Sequence, residues 1–324
     1  MSISKKKCSI LLLVIILFAA MTGTVQADQK NVTASEIDRA IGNLENFARL
    51  DESKLDYLEV IIAANEVLYG HDPNDAMTKQ IELMAAEAKK IANNSKDYKI
   101  QGQALNTVIF KKYGFKKPNT RAPIISGKNV IKQYMLKDVL EHKQAHCEGM
   151  SMIYFLVGQK AGFPVEIVNI PIHTYCRVGA GSEKICVELT RNGAFSSESR
   201  YLRMNGAKPA AQKSGTYFSG LSKKQFLNLQ INSLAYGLIT QPQGIKPLNM
   251  KQMVRLARLI EKLDPNRPES LDTAALIYYK AGEPAKALKT INHAMVKAKE
   301  LGNAQFVFAE FAKRQKEFSQ GIKK

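Results

Sequence analysis

The chain contains no tryptophan, only four cysteines, and 29 acidic side chains against 47 lysines and arginines in 324 residues. So few cysteines exclude a small disulfide-stapled scaffold. With 20 Gly and 11 Pro, collagen-like and low-complexity chains are excluded as well. Long hydrophobic runs are equally scarce. The longest is the N-terminal one, and none reaches the roughly 20 apolar residues that a membrane-spanning helix needs. There is no Gly-rich phosphate loop, and the basic residues lack the interleaved aromatics of single-strand binders, so a nucleic-acid partner is not expected. The shortage of acids leaves a net charge of +18, which points first to some anionic partner. What is present is ordinary: 45% hydrophobic and 23% charged residues, enough for two or three domains with normal cores.

The amino terminus removes part of that charge. Lys5, Lys6 and Lys7 precede the 11-residue apolar run 10–20, and Val25-Gln26-Ala27 supplies a small-x-small exit before Asp28. A basic start, a short apolar centre and such an exit predict a secretory signal peptide over residues 1–27, and hence a periplasmic or secreted protein. Cys8 lies too early for lipid attachment. Residues 28–200 then carry 23 basic and 21 acidic side chains, and residues 201–324 carry 21 and 8. The excess belongs to the carboxyl-terminal third, where it would meet an anionic envelope surface.

Apolar spacing predicts helices from residue 33 to about 113, the first with a cap at Ser35, and another over 129–140. After Pro164 the period changes to two. The runs 173–178 and 184–189 flank a loop containing Gly179 and Gly181, a hairpin signal. Helices followed by strands suit an α+β domain. Beyond residue 220 the pattern is helical again. Leu271, Ala275, Tyr278, Gly282, Ala287, Ile291 and Ala294 fall at the packing positions of a tetratricopeptide repeat. The expected organisation is a helical region 28–100, a core 101–205, and a tetratricopeptide-like helical region 220–324.

One set of residues could carry chemistry: Cys147, His173 and Glu188. A cysteine nucleophile needs a base to take its proton and a group that orients the base. Cys147 opens a helix, where the amide dipoles favour thiolate. His173 begins one strand of the hairpin and Glu188 lies on the other. With His173 opposite Glu188, Tyr175 stands opposite Cys186 on the same face and Cys176 points to the other. Cys176 and Cys186 then cannot bond to each other, whereas a disulfide is the ordinary expectation for an exported chain.

Three stretches, Cys147-Glu148-Gly149-Met150 running on to Gly162-Phe163-Pro164-Val165, Pro171-Ile172-His173, and Val187-Glu188-Leu189-Thr190, resemble the transglutaminase-like superfamily. The nearer likeness is to its bacterial branch in which tetratricopeptide-like helices follow the core. The resemblance implies a papain-like α+β core and acyl transfer at amides or esters of a peptide or cell-envelope substrate. Cys147 would be nucleophile, His173 base and then acid, and Glu188 the orienting group, with no cofactor. The Cys147 N–H would supply half of an oxyanion hole and Gln144 or His146 the other half. Inactive relatives exist, so a non-catalytic scaffold whose C-terminal helices bind a protein partner is the alternative. His142 and His146 could share a helix face, but no acidic or cysteine partner stands out at ligand spacing, so no metal is expected. Glu148 reads as a first-turn acid favoured by the helix dipole.

Overall fold

The computed structural model describes residues 32–118, 131–205, 209–240, 248–302 and 305–322. The signal-like segment 1–27 lies outside them. The cap of helix α1 (Ala34–Arg49) lies two residues before the expected Ser35: Thr33 and Glu36 form a capping box, with Glu36 N–H donating to Thr33 Oγ1 at 3.2 Å and Thr33 N–H to Glu36 Oε2 at 2.7 Å. Asp56 caps α2 (Tyr57–Tyr69) and Asp97 caps α4 (Tyr98–Asn106), with α3 (Ala76–Ala92) between them. The period that predicted one helix to residue 113 continues instead as a π turn over Thr107–Lys112.

The expected helix over 129–140 is also divided. Its described part is a 3₁₀ turn (Ile131–Gln133) followed by α5 (Leu136–His142), because Met135 between them is extended at φ −83, ψ 131. The apolar period survives the break, since Ile131, Met135, Leu136, Val139 and Leu140 are all buried. Next comes α6 (Cys147–Ala161), which ends at Gly162 in the left-handed region (φ 77) with Phe163 N–H returning to Gly158 O at 2.9 Å.

Four antiparallel strands follow in sequence order: β1 (Val165–Ile170), β2 (His173–Val178), β3 (Ile185–Glu188) and β4 (Ala194–Ser196). Alternation splits the sheet cleanly. Val165, Ile167, Cys176, Val178 and Val187 join the main core with α6, while Val168, Ile170, Tyr175 and Cys186 form a smaller cluster on the other face with Tyr201 and Tyr217. The outer edge of β1 is covered by residues 218–221, through Phe218 N–H to Asn169 O (3.1 Å) and Leu221 N–H to Ile167 O (2.9 Å). The chain is therefore α+β, a small sheet set among many helices.

Short α7 (Glu198–Asn205) and α8 (Pro209–Lys213) lead to α9 (Lys223–Thr240), α10 (Met250–Leu263), α11 (Pro268–Lys280), α12 (Pro284–Leu301) and α13 (Gln305–Ile322). Of the repeat positions, Leu271, Ala275, Tyr278, Ala287, Ile291 and Ala294 are buried, and Gly282 makes the α11–α12 turn at φ 79. Part of the basic excess is committed to the N-terminal helices. Arg255 forks onto Glu45 (2.9 Å to each oxygen) and reaches Asp38 at 2.8 Å. Lys224 Nζ donates to the last carbonyls of α1, at Phe47, Ala48 and Leu50. Among the described residues, no helix is long and apolar enough to cross a membrane.

Candidate active site

The segment before Cys147 is held from both sides. Lys143 ends α5 in the left-handed region (φ 52), and Lys116 pairs with the strand-like stretch beyond it: Lys116 N–H donates to Lys143 O (3.0 Å) and Ala145 N–H to Lys116 O (3.4 Å). His146 then occupies the N-cap without making a side-chain cap bond, so the first amides of α6, that of Cys147 included, have no partner within the helix. Gly149 lets the helix seat deeply, because a Cβ there would lie 2.1 Å from the Gln133 carbonyl oxygen.

Helix α6 and strand β2 run side by side in the same direction. The buried Cys176 thiol donates to Ser151 O at 3.5 Å, one helical turn beyond Cys147 and three strand residues beyond His173. His173 therefore stands at the strand end that meets the first turn of α6. Its Nε2 lies 2.9 Å from Glu188 Oε2. The carboxylate can only accept, so Nε2 carries a proton and Nδ1 is the nitrogen left for Cys147. Burial works against the charged imidazole, but hydrogen bonds and charges from Cys147 and Glu188 outweigh it and push the pKa up to about 10.

Glu188 is held on both oxygens. Besides His173, Oε2 accepts from Tyr201 OH at 3.1 Å, and Oε1 accepts from Thr190 N–H at 3.1 Å and Thr190 Oγ1 at 2.6 Å. Burial would raise its pKa, yet the bond and charge of His173 and the two Thr190 bonds bring it down to about 2. Tyr201 also stacks on Tyr175, ring centroids 3.8 Å apart and 3° from parallel, and so backs the carboxylate. Nothing in the sequence marked Tyr201, which lies 13 residues past Glu188 with no periodic relation to it.

The hairpin register differs from expectation by two residues. Cys186 stands opposite Arg177, and extending that ladder sets Glu188 opposite Tyr175, with His173 on the diagonal. A shift of two keeps every side chain on its face, so His173 still shares one with Glu188. Cys147, Cys176 and Cys186 are all free thiols, and burial pushes the Cys186 thiol up to about 11.

Of the two oxyanion candidates, Gln144 is exposed and His146 is buried, its pKa lowered by burial and by the charge of Lys117. Acidic partners for a metal do exist at helical spacing: Asp138, Glu141 and His142 bring ligand atoms within 4.8 Å of one another, without His146. Asp138 already accepts from Tyr69 OH, and burial raises its pKa, which makes it a poor ligand. Glu148 stands in the first turn of α6, as expected. It is also buried there: Ser233 of α9 donates to it, and burial drives its pKa up to about 7 against the Ser233 bond and the Arg267 charge.

That shift has a measurable consequence. The unfolded acid ionises near 4.5 and the folded one near 7, so its share of stability is complete below pH 4.5 and lost as pH rises to 7. Glu148→Gln is expected to remove this decline, up to about 3 kcal/mol and less by whatever part of the residue still meets solvent. Urea unfolding at pH 5 and pH 8 measures it. An unchanged pH slope in the variant would refute the assignment.

Cys147 at the start of α6 and the bonded His173–Glu188 pair lie at one helix–sheet junction, on a four-stranded meander. Residues 75–229 match the family model described as the transglutaminase-like superfamily. This segment is a transglutaminase-like domain. It begins at α3 and runs into α9. The superfamily is one of papain-like cysteine hydrolases and acyltransferases, which fits a peptide or protein substrate. No curated protein matches the chain. Among solved structures, the chain is similar to menin, in the crystal structure that reveals the binding site for Mixed Lineage Leukemia (MLL) protein. The two are 11% identical over 86% of this chain and 74% of that one, with a TM-score of 0.36. A likeness at that score carries no argument.

Proposed function

We propose that the protein is an exported cysteine hydrolase or acyltransferase acting on amide bonds of a peptide or cell-envelope substrate through Cys147, His173 and Glu188. The observation that carries this reading is the charged junction at His173, which is bonded by Glu188 on Nε2 and raised in pKa by the Cys147 sulfur. The Cys147 thiolate adds to the amide carbonyl, and the oxyanion meets the unpaired amides at the start of α6. His173 passes its proton to the leaving nitrogen as the C–N bond breaks, leaving an acyl-thioester on Cys147. Water or an amine then attacks the thioester, His173 takes the incoming proton, and the thiol is released. Gln144, exposed beside this turn, is the second oxyanion donor in this scheme, and His146 is the other candidate.

Export is supported by Lys5–Lys7 and the apolar run after them. A second reading, a scaffold whose tetratricopeptide-like helices bind a protein partner or an anionic envelope surface, is favoured by the exposed Lys289, Lys299, Lys313 and Lys316 on α12 and α13.

Labelling by iodoacetamide at neutral pH separates the two. Fast modification of Cys147, lost in Cys147→Ala while the buried Cys176 and Cys186 stay unlabelled, is the result expected of the enzyme. A Cys147 that labels no faster than an unfolded thiol, together with a partner that binds Cys147→Ser as well as wild type, would overturn it for the scaffold.

A further inference from the structure

Strands β1 and β2 are joined by two residues, Pro171 and Ile172, closed by the Ile170–His173 pair. Proline at the first loop position fixes φ near −65°, and the second position then takes φ 60. Turns of this kind ask for glycine or asparagine at that second position, because a Cβ in the left-handed region meets the neighbouring carbonyl. A β-branched residue is the least suited of all. Ile172 gains no burial in return. At 59% exposure it is the most exposed large hydrophobic residue among those described. The position is therefore strained in backbone and wasted in packing, and it directly precedes the histidine that meets Cys147.

Strain of this kind persists where a side chain serves something outside the fold. We infer that Ile172 is a specificity-determining residue, the apolar ledge on which a substrate rests an apolar group beside the scissile amide. The inference builds on the proposed Cys147–His173–Glu188 site and names the substrate chemistry that site prefers. A scattered exposed isoleucine would need no explanation. One held in a glycine conformation next to His173 in the chain does.

The test compares alkylation of Cys147 by iodoacetamide with alkylation by its N-hexyl derivative, in wild type, Ile172→Gly and Ile172→Asn. Both substitutions suit the left-handed turn, so both are expected to fold with a melting temperature at or above that of wild type. Iodoacetamide itself should label all three equally, because it is too small to touch the ledge. The N-hexyl reagent should lose about tenfold in rate relative to iodoacetamide in both variants, the scale of one lost apolar side-chain contact. Equal rate ratios in all three proteins, with iodoacetamide still fast, would overturn the role of Ile172 and leave the triad standing. Slow iodoacetamide labelling in wild type would instead remove the triad, and the ledge with it.

Discussion

Glu188→Gln is expected to lower turnover of an amide substrate by about 10⁴-fold at neutral pH while leaving the fold intact, the scale seen when an orienting acid becomes an amide. The carboxamide is isosteric, and its one oxygen can still accept from Thr190, whose bonds to Glu188 run 2.6–3.1 Å, while the NH2 that replaces the other oxygen can no longer accept from Tyr201 or His173. It cannot supply charge. His173 would lose the Glu188 charge and bond that help to hold its pKa near 10 against burial, and that pKa should fall toward the ordinary 6.5. Titration of the ring by NMR reads this directly and needs no substrate. The alkaline limb of any amide-hydrolysis profile should move down with it.

Stability should follow the same two groups in opposite directions. Glu188, lowered to about 2, contributes above pH 4.5, and that contribution is lost as pH falls through 2. His173, raised to about 10, contributes below pH 6.5, and its share is lost as pH rises through 10. The pair therefore supports the fold most between pH 4.5 and 6.5. In Glu188→Gln the acid-side decline from this site should vanish. A His173 ring that still titrates near 10 in the variant would show that Glu188 is not what holds its proton.

The elements of this site differ in how far the sequence exposes them. The positions of Cys147, His173 and Glu188 follow from places where local rules are strong: the start of a helix after a turn, the first residue of a strand, and an acid in an alternating run. Parity along a strand is robust to a slip of two, so the face shared by His173 and Glu188 came through although the register did not. What escaped are partnerships set by chain return. Tyr201 reaches Glu188, and Ser233 reaches Glu148 from 85 residues away, through bonds that leave no period in the sequence. The break before α5 escaped for the same reason. Its apolar spacing is helical throughout, and what lies beside the break is a long-range approach, that of the Gln133 carbonyl to Gly149.

That approach yields the most severe stability prediction. Gly149 lies in the first turn of α6, two residues past Cys147, and a Cβ there would stand 2.1 Å from the Gln133 carbonyl oxygen, 2.8 Å from Ala145 Cβ and 3.2 Å from Val139 Cγ2. The nearest of these is backbone, which cannot swing aside as a long side chain would. Gly149→Ala must push α6 away from residues 131–135, in a region where Ile131, Met135 and Val139 are fully buried. Overpacking a tight core costs about 1–3 kcal/mol, and a clash with main chain belongs at or above the top of that range. Gly42→Ala is the matched control. It lies in α1 with nothing within 4 Å of its Cβ position, and it should gain about 0.5–1 kcal/mol from helix propensity alone. Urea unfolding of both variants sets the two signs against each other. Labelling of Cys147 should slow in Gly149→Ala and stay unchanged in Gly42→Ala, because only the first moves the turn that holds the sulfur against His173. A Gly149→Ala protein as stable as wild type would mean that the segment 131–135 does not press on α6 as described.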